Sequence, residues 1–76
     1  MTELANGFQT IRGSDVDRNG MYLELIDSET RNEFAAIFYS DDTHKMTLSL
    51  FRKDIPLEVI EKFIEKAKTD LPPMKK

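Results

Sequence analysis

The chain contains no cysteine. That absence removes disulfide staples, thiolate catalysis and cysteine-ligated zinc together. Small secreted domains ordinarily depend on such staples, so a reducing cytoplasm is the expected location. Glycine occurs three times, with no Gly-rich run ahead of a helix, so there is no phosphate-cradling loop. The single histidine, His44, leaves no pair of imidazoles for a metal and only one imidazole as a general base, and no serine stands at a recognised nucleophile spacing from it. No apolar stretch approaches the roughly 20 residues that span a bilayer. Met1-Thr2-Glu3-Leu4-Ala5-Asn6 lacks the basic and apolar segments of a signal peptide. Nor is there an excess of positive charge. Eleven Lys and Arg are scattered among 14 Asp and Glu, for a net charge of −3, which argues against nucleic acid. These absences together predict a chain that is not an enzyme, carries no cofactor, and engages neither nucleic acid nor membrane.

What is present is a change of period. Ahead of Lys53-Asp54-Ile55-Pro56-Leu57 the apolar residues recur at every second position, and after it at every third or fourth. The expected fold is therefore α+β: a four-stranded antiparallel meander followed by one C-terminal amphipathic helix packed on one sheet face. At 76 residues a single domain is expected. A chain this small has little stability to spare for a strained site, and dimerisation would bury more apolar surface.

Residues 1–6 read as a loose, flexible start. Phe8, Thr10 and Arg12 alternate with Gln9 and Ile11 as a short edge strand, and residues 13–20 as a polar loop. Met21-Tyr22-Leu23-Glu24-Leu25-Ile26 alternates clearly. Residues 33–39 are apolar on both faces, which suits a central strand, and the pattern does not say which face meets the helix. Ala35-Ala36 would also permit a helix, but Phe34, Ile37, Phe38 and Tyr39 favour a strand. Asp41-Asp42-Thr43-His44 forms a turn, and Met46-Thr47-Leu48-Ser49-Leu50-Phe51 the last strand. Asp54 is placed to cap the helix and Pro56 to sit in its first turn. Val59, Ile60, Phe63, Ile64, Ala67 and Leu71 then form one apolar stripe, of which Ile60, Phe63, Ile64 and Ala67 are expected to meet Met21, Leu23, Leu25, Met46, Leu48 and Leu50. Pro72-Pro73 ends the helix, leaving 72–76 as a flexible tail.

Three candidate sites follow. Asp15-Val16-Asp17-Arg18-Asn19-Gly20 matches the opening of a calcium loop, with oxygen ligands from Asp15, Asp17 and Asn19 and glycine in sixth place. Position 12 of that motif would be Ile26 rather than glutamate, and Arg18 adds a positive charge. The plainer reading is a hairpin loop whose Asn19-Gly20 supplies positive φ. The turn at Asp41, Asp42 and His44 offers two carboxylates and an imidazole, but adjacent side chains in a tight turn rarely converge on one ion. The third candidate is the sheet face left uncovered by the helix. It carries Tyr22, Glu24, Ile26, Thr47, Ser49 and Phe51, to which the central strand adds either Ile37 and Tyr39 or Phe34 and Phe38: apolar groups ringed by polar ones, the composition of an interface for a protein partner or for self-association as a homodimer. The alternative is an ordinary solvated face.

With these elements placed, residues 12–73 resemble short bacterial proteins of unassigned function. The likeness rests on the strands, the 15–20 loop, Phe38-Tyr39-Ser40-Asp41 and Ile55-Pro56-Leu57-Glu58-Val59-Ile60. It carries no catalytic motif and implies a fold rather than an activity. Small acidic bacterial proteins of this size also include toxin-neutralising immunity proteins, a resemblance of class without a shared signature residue.

Overall fold

The computed structural model describes residues 2–71, so the tail at 72–76 lies outside the described residues. Five strands precede one helix: β1 (Thr2–Ala5), β2 (Phe8–Asp15), β3 (Gly20–Asp27), β4 (Glu33–Ser40), β5 (Met46–Leu50) and α1 (Leu57–Asp70). The strands form one antiparallel sheet in the order β1-β2-β3-β4-β5, each beside its neighbour in sequence. The fold is thus α+β with a C-terminal helix on the sheet, as the periodicity predicts, but with five strands instead of four. Thr2–Ala5 is the added strand. It turns into β2 through Asn6 and Gly7, with Gly7 at φ 86, a region open to glycine at little cost. β2 is accordingly an inner strand, and the predicted 13–20 loop shrinks to residues 16–19.

Cross-strand register assigns the faces. Leu23 pairs with Ile37, Leu25 with Ala35, and Met21 with Tyr39. These side chains point toward the helix, which settles the orientation of β4: Ala35, Ile37 and Tyr39 face inward. They pack with Val59, Phe63, Ala67 and Leu71 into one core. Phe63, Leu25 and Ala35 are fully buried in it, and Phe63 is the largest of these side chains. A register shift between Leu25 and Ile26 leaves Phe34 as an extra residue in β4. Phe34 packs against the same core, with its ring 5.1 Å from that of Phe8.

Leu48 and Leu50 depart from the expected packing. They lie on the helix side of β5, opposite Ile37 and Ala35, yet remain 44% and 58% exposed. The helix also reaches β1 at the far side of the sheet, so its stripe leaves the outer edge of β5 uncovered. Arg12 Nη1 donates to the Asp70 carbonyl at 3.2 Å, tying β2 to the end of the helix.

The start of the helix also differs from expectation. Asp54 sits at φ 57, left-handed geometry that directs the chain away from a cap, and the capping position falls to Pro56, which makes no side-chain cap bond. At the other end Leu71 is extended, at φ −98 and ψ 141, as the residue before a proline should be. Glu58 in the first turn and Lys68 in the last suit the helix dipole. In the turn after β3, the Asp27 carboxylate accepts the backbone N–H groups of Glu29 at 2.8 Å and Thr30 at 2.9 Å, which holds its carboxyl below the usual range.

Candidate interaction face

Alternation along the strands sends Ile11, Gly13, Tyr22, Glu24, Ala36, Phe38, Thr47 and Ser49 to the face opposite the helix. Two glycines shape that face. Gly13 pairs with Tyr22, and the Tyr22 ring lies directly over it: a methyl group at Gly13 would collide with the phenol. Gly20 bears the Phe38 ring in the same way, with Cζ 2.6 Å from where a Cβ would stand. Each ring covers bare backbone that would otherwise be solvated. Arg18 then stacks its guanidinium over Phe38, 3.9 Å from the ring centroid.

Between the leaning rings opens a hollow of about 310 Å³. Its apolar wall is Tyr22, Ala36, Phe38 and Phe51, and its polar wall is Asp15, Arg18, Glu24, Glu33 and Ser49. Phe51, 54% exposed, stands at the rim, its backbone N–H held by the Phe34 carbonyl at 2.8 Å. The structure therefore brings together Tyr22, Glu24, Ser49 and Phe51 of the residues expected on this face. Ile26 shares the face but is only 3% exposed, so it offers no surface to a partner. Glu33, Phe38 and Arg18 complete the hollow; Phe38 belongs to one of the two pairs expected from the central strand, whereas Glu33 and Arg18 were not expected on this face. The pairing of Glu33 with Ile26 depends on the β4 irregularity, which no local pattern announces.

The electrostatics are uneven. Partial burial pushes the Glu24 carboxyl above the ordinary carboxylate range, and the adjacent negative charge of Glu33 and a hydrogen bond between the two side chains push the same way. Three carboxylates (Asp15, Glu24, Glu33) line the hollow against one guanidinium. A cation entering it would relieve the Glu24–Glu33 repulsion and meet aromatic faces.

The 15–20 segment is the β2–β3 hairpin. The Arg18 backbone N–H donates to Asp15 Oδ1 at 3.1 Å, Asn19 occupies φ 56, and the Asn19 amide donates to Asp42 Oδ1 at 3.0 Å. The side chains of Asp15 and Asn19 thus fasten turns, and Asp17 is exposed. Among the described residues no group of three His, Cys, Asp or Glu stands close enough to hold a metal ion. The imidazole of His44 is in use as well: its Nδ1 lies 2.8 Å from the hydroxyl of buried Tyr39, securing the β4–β5 turn. No helix among the described residues is long and apolar enough to cross a membrane.

Compared with protein-family models, curated proteins and solved structures, the chain matches none of them.

Proposed function

We propose that this chain is a non-catalytic protein-interaction module whose open sheet face receives a basic side chain of a protein partner. One observation carries the reading: a hollow of about 310 Å³ that combines the rings of Tyr22, Phe38 and Phe51 with the crowded carboxylates of Glu24 and Glu33. Aromatic walls and paired carboxylates together favour a lysine or arginine, by cation–π attraction and by charge. Arg18 already rests on Phe38, an internal instance of the same contact. The preformed strands would present these groups with little ordering cost.

The test is an NMR titration with a short lysine-rich peptide. Amide shifts should cluster at Tyr22, Glu24, Glu33, Ser49 and Phe51. They should fade as the pH falls through the raised titration of Glu24. The Glu24→Gln/Glu33→Gln double variant should weaken binding at least tenfold while remaining folded. Shifts concentrated on the helix carboxylates Glu58, Glu61 and Glu65, or binding unchanged in the double variant, would mark simple charge attraction and reject the proposal.

A further inference from the structure

The two edges of the sheet are built differently. β1 is short, carries Glu3, is broken by a register irregularity between Glu3 and Ala5, and lies near the helix. Those are the features by which natural edge strands avoid further pairing. β5 lacks the charge and the irregularity. Met46-Thr47-Leu48-Ser49-Leu50 contains no charge and no proline, runs in unbroken register against β4, and exposes Leu48 and Leu50 beyond the helix.

The hydrogen-bond phase of β5 is fixed by its ends. Ser40 N–H donates to the Lys45 carbonyl at 3.0 Å, and Phe51 N–H donates to the Phe34 carbonyl at 2.8 Å. Antiparallel ladders alternate, so Thr47 and Ser49 also turn their backbone groups toward β4. The N–H and C=O groups of Met46, Leu48 and Leu50 therefore point outward along the free edge.

We propose that this edge pairs with β5 of a second copy of the chain, antiparallel about a two-fold axis through Leu48, joining two sheets into one. This proposal rests on the backbone of the edge rather than on the hollow of the basic-side-chain reading above, with Ser49 and Phe51 bordering both. Self-complementarity selects the occupant. In this register Leu48 faces Leu48 of the second copy and Met46 faces its Leu50. All are residues with outward backbone groups, so each of these pairs exchanges two hydrogen bonds. The same register sets apolar against apolar on the helix side and Thr47 against Ser49 on the other. It also places Lys45 opposite Phe51 of the second copy, on one face, where the ammonium and its alkyl stem meet the ring. Moving the axis to Thr47 or Ser49 leaves an end of the apolar strip facing His44 or Arg52. An uncharged strand gives a chain of net charge −3 a place to meet itself without local repulsion. The groove beside the strand, lined by Ile37, Met46, Leu48, Ile64 and Ala67 with Thr47 and Lys68 at its polar side, extends the apolar strip toward the helix. Five paired residues with their flanks fall short of the roughly 20–30 residues a side of standard interfaces, so the pair is weak and reversible.

The test is sedimentation equilibrium of the full chain from micromolar to near-millimolar concentration, with amide hydrogen exchange across the same range. A reversible dimer is expected, with exchange at Met46, Leu48 and Leu50 slowing as concentration rises while Ser49 and Phe51 are protected throughout. Leu48→Lys sets two ammonium groups at the axis and should weaken the dimer at least tenfold. Leu48→Pro removes a donor that β4 does not use and should do the same; the exchange data carry the test should that variant fold poorly. A monomer at every concentration overturns the proposal. So does a dimer indifferent to Leu48→Lys with unchanged exchange at the three edge amides, or an edge that pairs only with a strand of a different protein. Because Glu24→Gln/Glu33→Gln leaves the edge intact, loss of peptide binding in that variant with dimerisation retained separates the two readings.

Discussion

Replacing each of two strand glycines by alanine should give very different results, because different atoms wait for the new methyl. At Gly20 the methyl would run into the backbone carbonyl of Tyr39 and into Phe38 Cε1 at 2.8 Å. The carbonyl belongs to the paired strand and cannot yield without shifting the ladder, and Gly20 is buried. Overpacking of this kind costs about 1–3 kcal/mol. Against it, alanine recovers roughly 0.5–1 kcal/mol of backbone entropy within a strand. The net loss should be about 1–2 kcal/mol, which at about 4–8 °C per kcal/mol for a domain this small lowers Tm by on the order of 10 °C. At Gly13 the methyl meets only the far end of the Tyr22 side chain, its hydroxyl and Cζ. Tyr22 is half-buried, so its ring can swing outward. Clash and entropy gain should then nearly cancel, leaving Tm within about 3 °C of the parent. Thermal melts followed by circular dichroism decide the matter. Equal losses at the two positions, or a neutral Gly20→Ala, would refute the claim that backbone contact separates them.

Two further predictions concern charge and backbone geometry. Glu24 has its carboxyl raised by burial and by Glu33, so the folded state holds its proton more tightly than the unfolded one. Stability attributable to this group is complete below the unfolded value near 4.5 and declines as pH rises through the folded value. Glu24→Gln should therefore stabilise the domain by a few tenths of a kcal/mol at pH 7, with no gain at pH 3.5, as urea midpoints at both pH values will show. Asp54 is exposed in the left-handed region, where a side chain costs about 1–2 kcal/mol. Asp54→Gly removes that strain but adds roughly 0.5–1 kcal/mol of unfolded-state entropy, so Tm should rise by about 2–5 °C. A fall in Tm would mean that the carboxylate supports the helix start after all.

Most of the fold was legible because its signals are local. Strict alternation at residues 21–26 and 46–50 and the stripe from Val59 to Leu71 are one-dimensional patterns, and burial follows them. What escaped depends on neighbours in space. Thr2–Ala5 is too short to show a period, although the Asn6-Gly7 dipeptide that follows is a strong hairpin signal and would have revealed the strand. Residues 13–15 read as loop because glycine, serine and aspartate are poor strand formers, yet the Tyr22 ring stands in for the side chain that Gly13 lacks. The exposure of Leu48 and Leu50 follows from where the helix lies across the sheet, which periodicity does not encode. The same holds for the hollow. Tyr22, Glu24, Ser49 and Phe51 could be assigned to one face by counting alternate positions. Glu33 joins them only through the extra residue in β4, and Ile26 leaves them because its surroundings close over it.

The order of the strands has a consequence for how the domain folds. Every strand pairs with the one just made, so the sheet can assemble as a succession of hairpins, each closing a short loop at small entropic cost. A sheet alone buries only one side of Leu23, Leu25 and Ile37, and its lid is the last segment of the described chain. The hairpins should therefore flicker, forming and dissolving on the microsecond scale, until Phe63 docks between them. Helix docking, which brings residues 57–70 back to strands begun some fifty positions earlier, would then be the event that makes folding cooperative. Mutations along β3 and β4 would alter the rate at which it happens, while mutations at the outer edge of β5 would leave that rate alone.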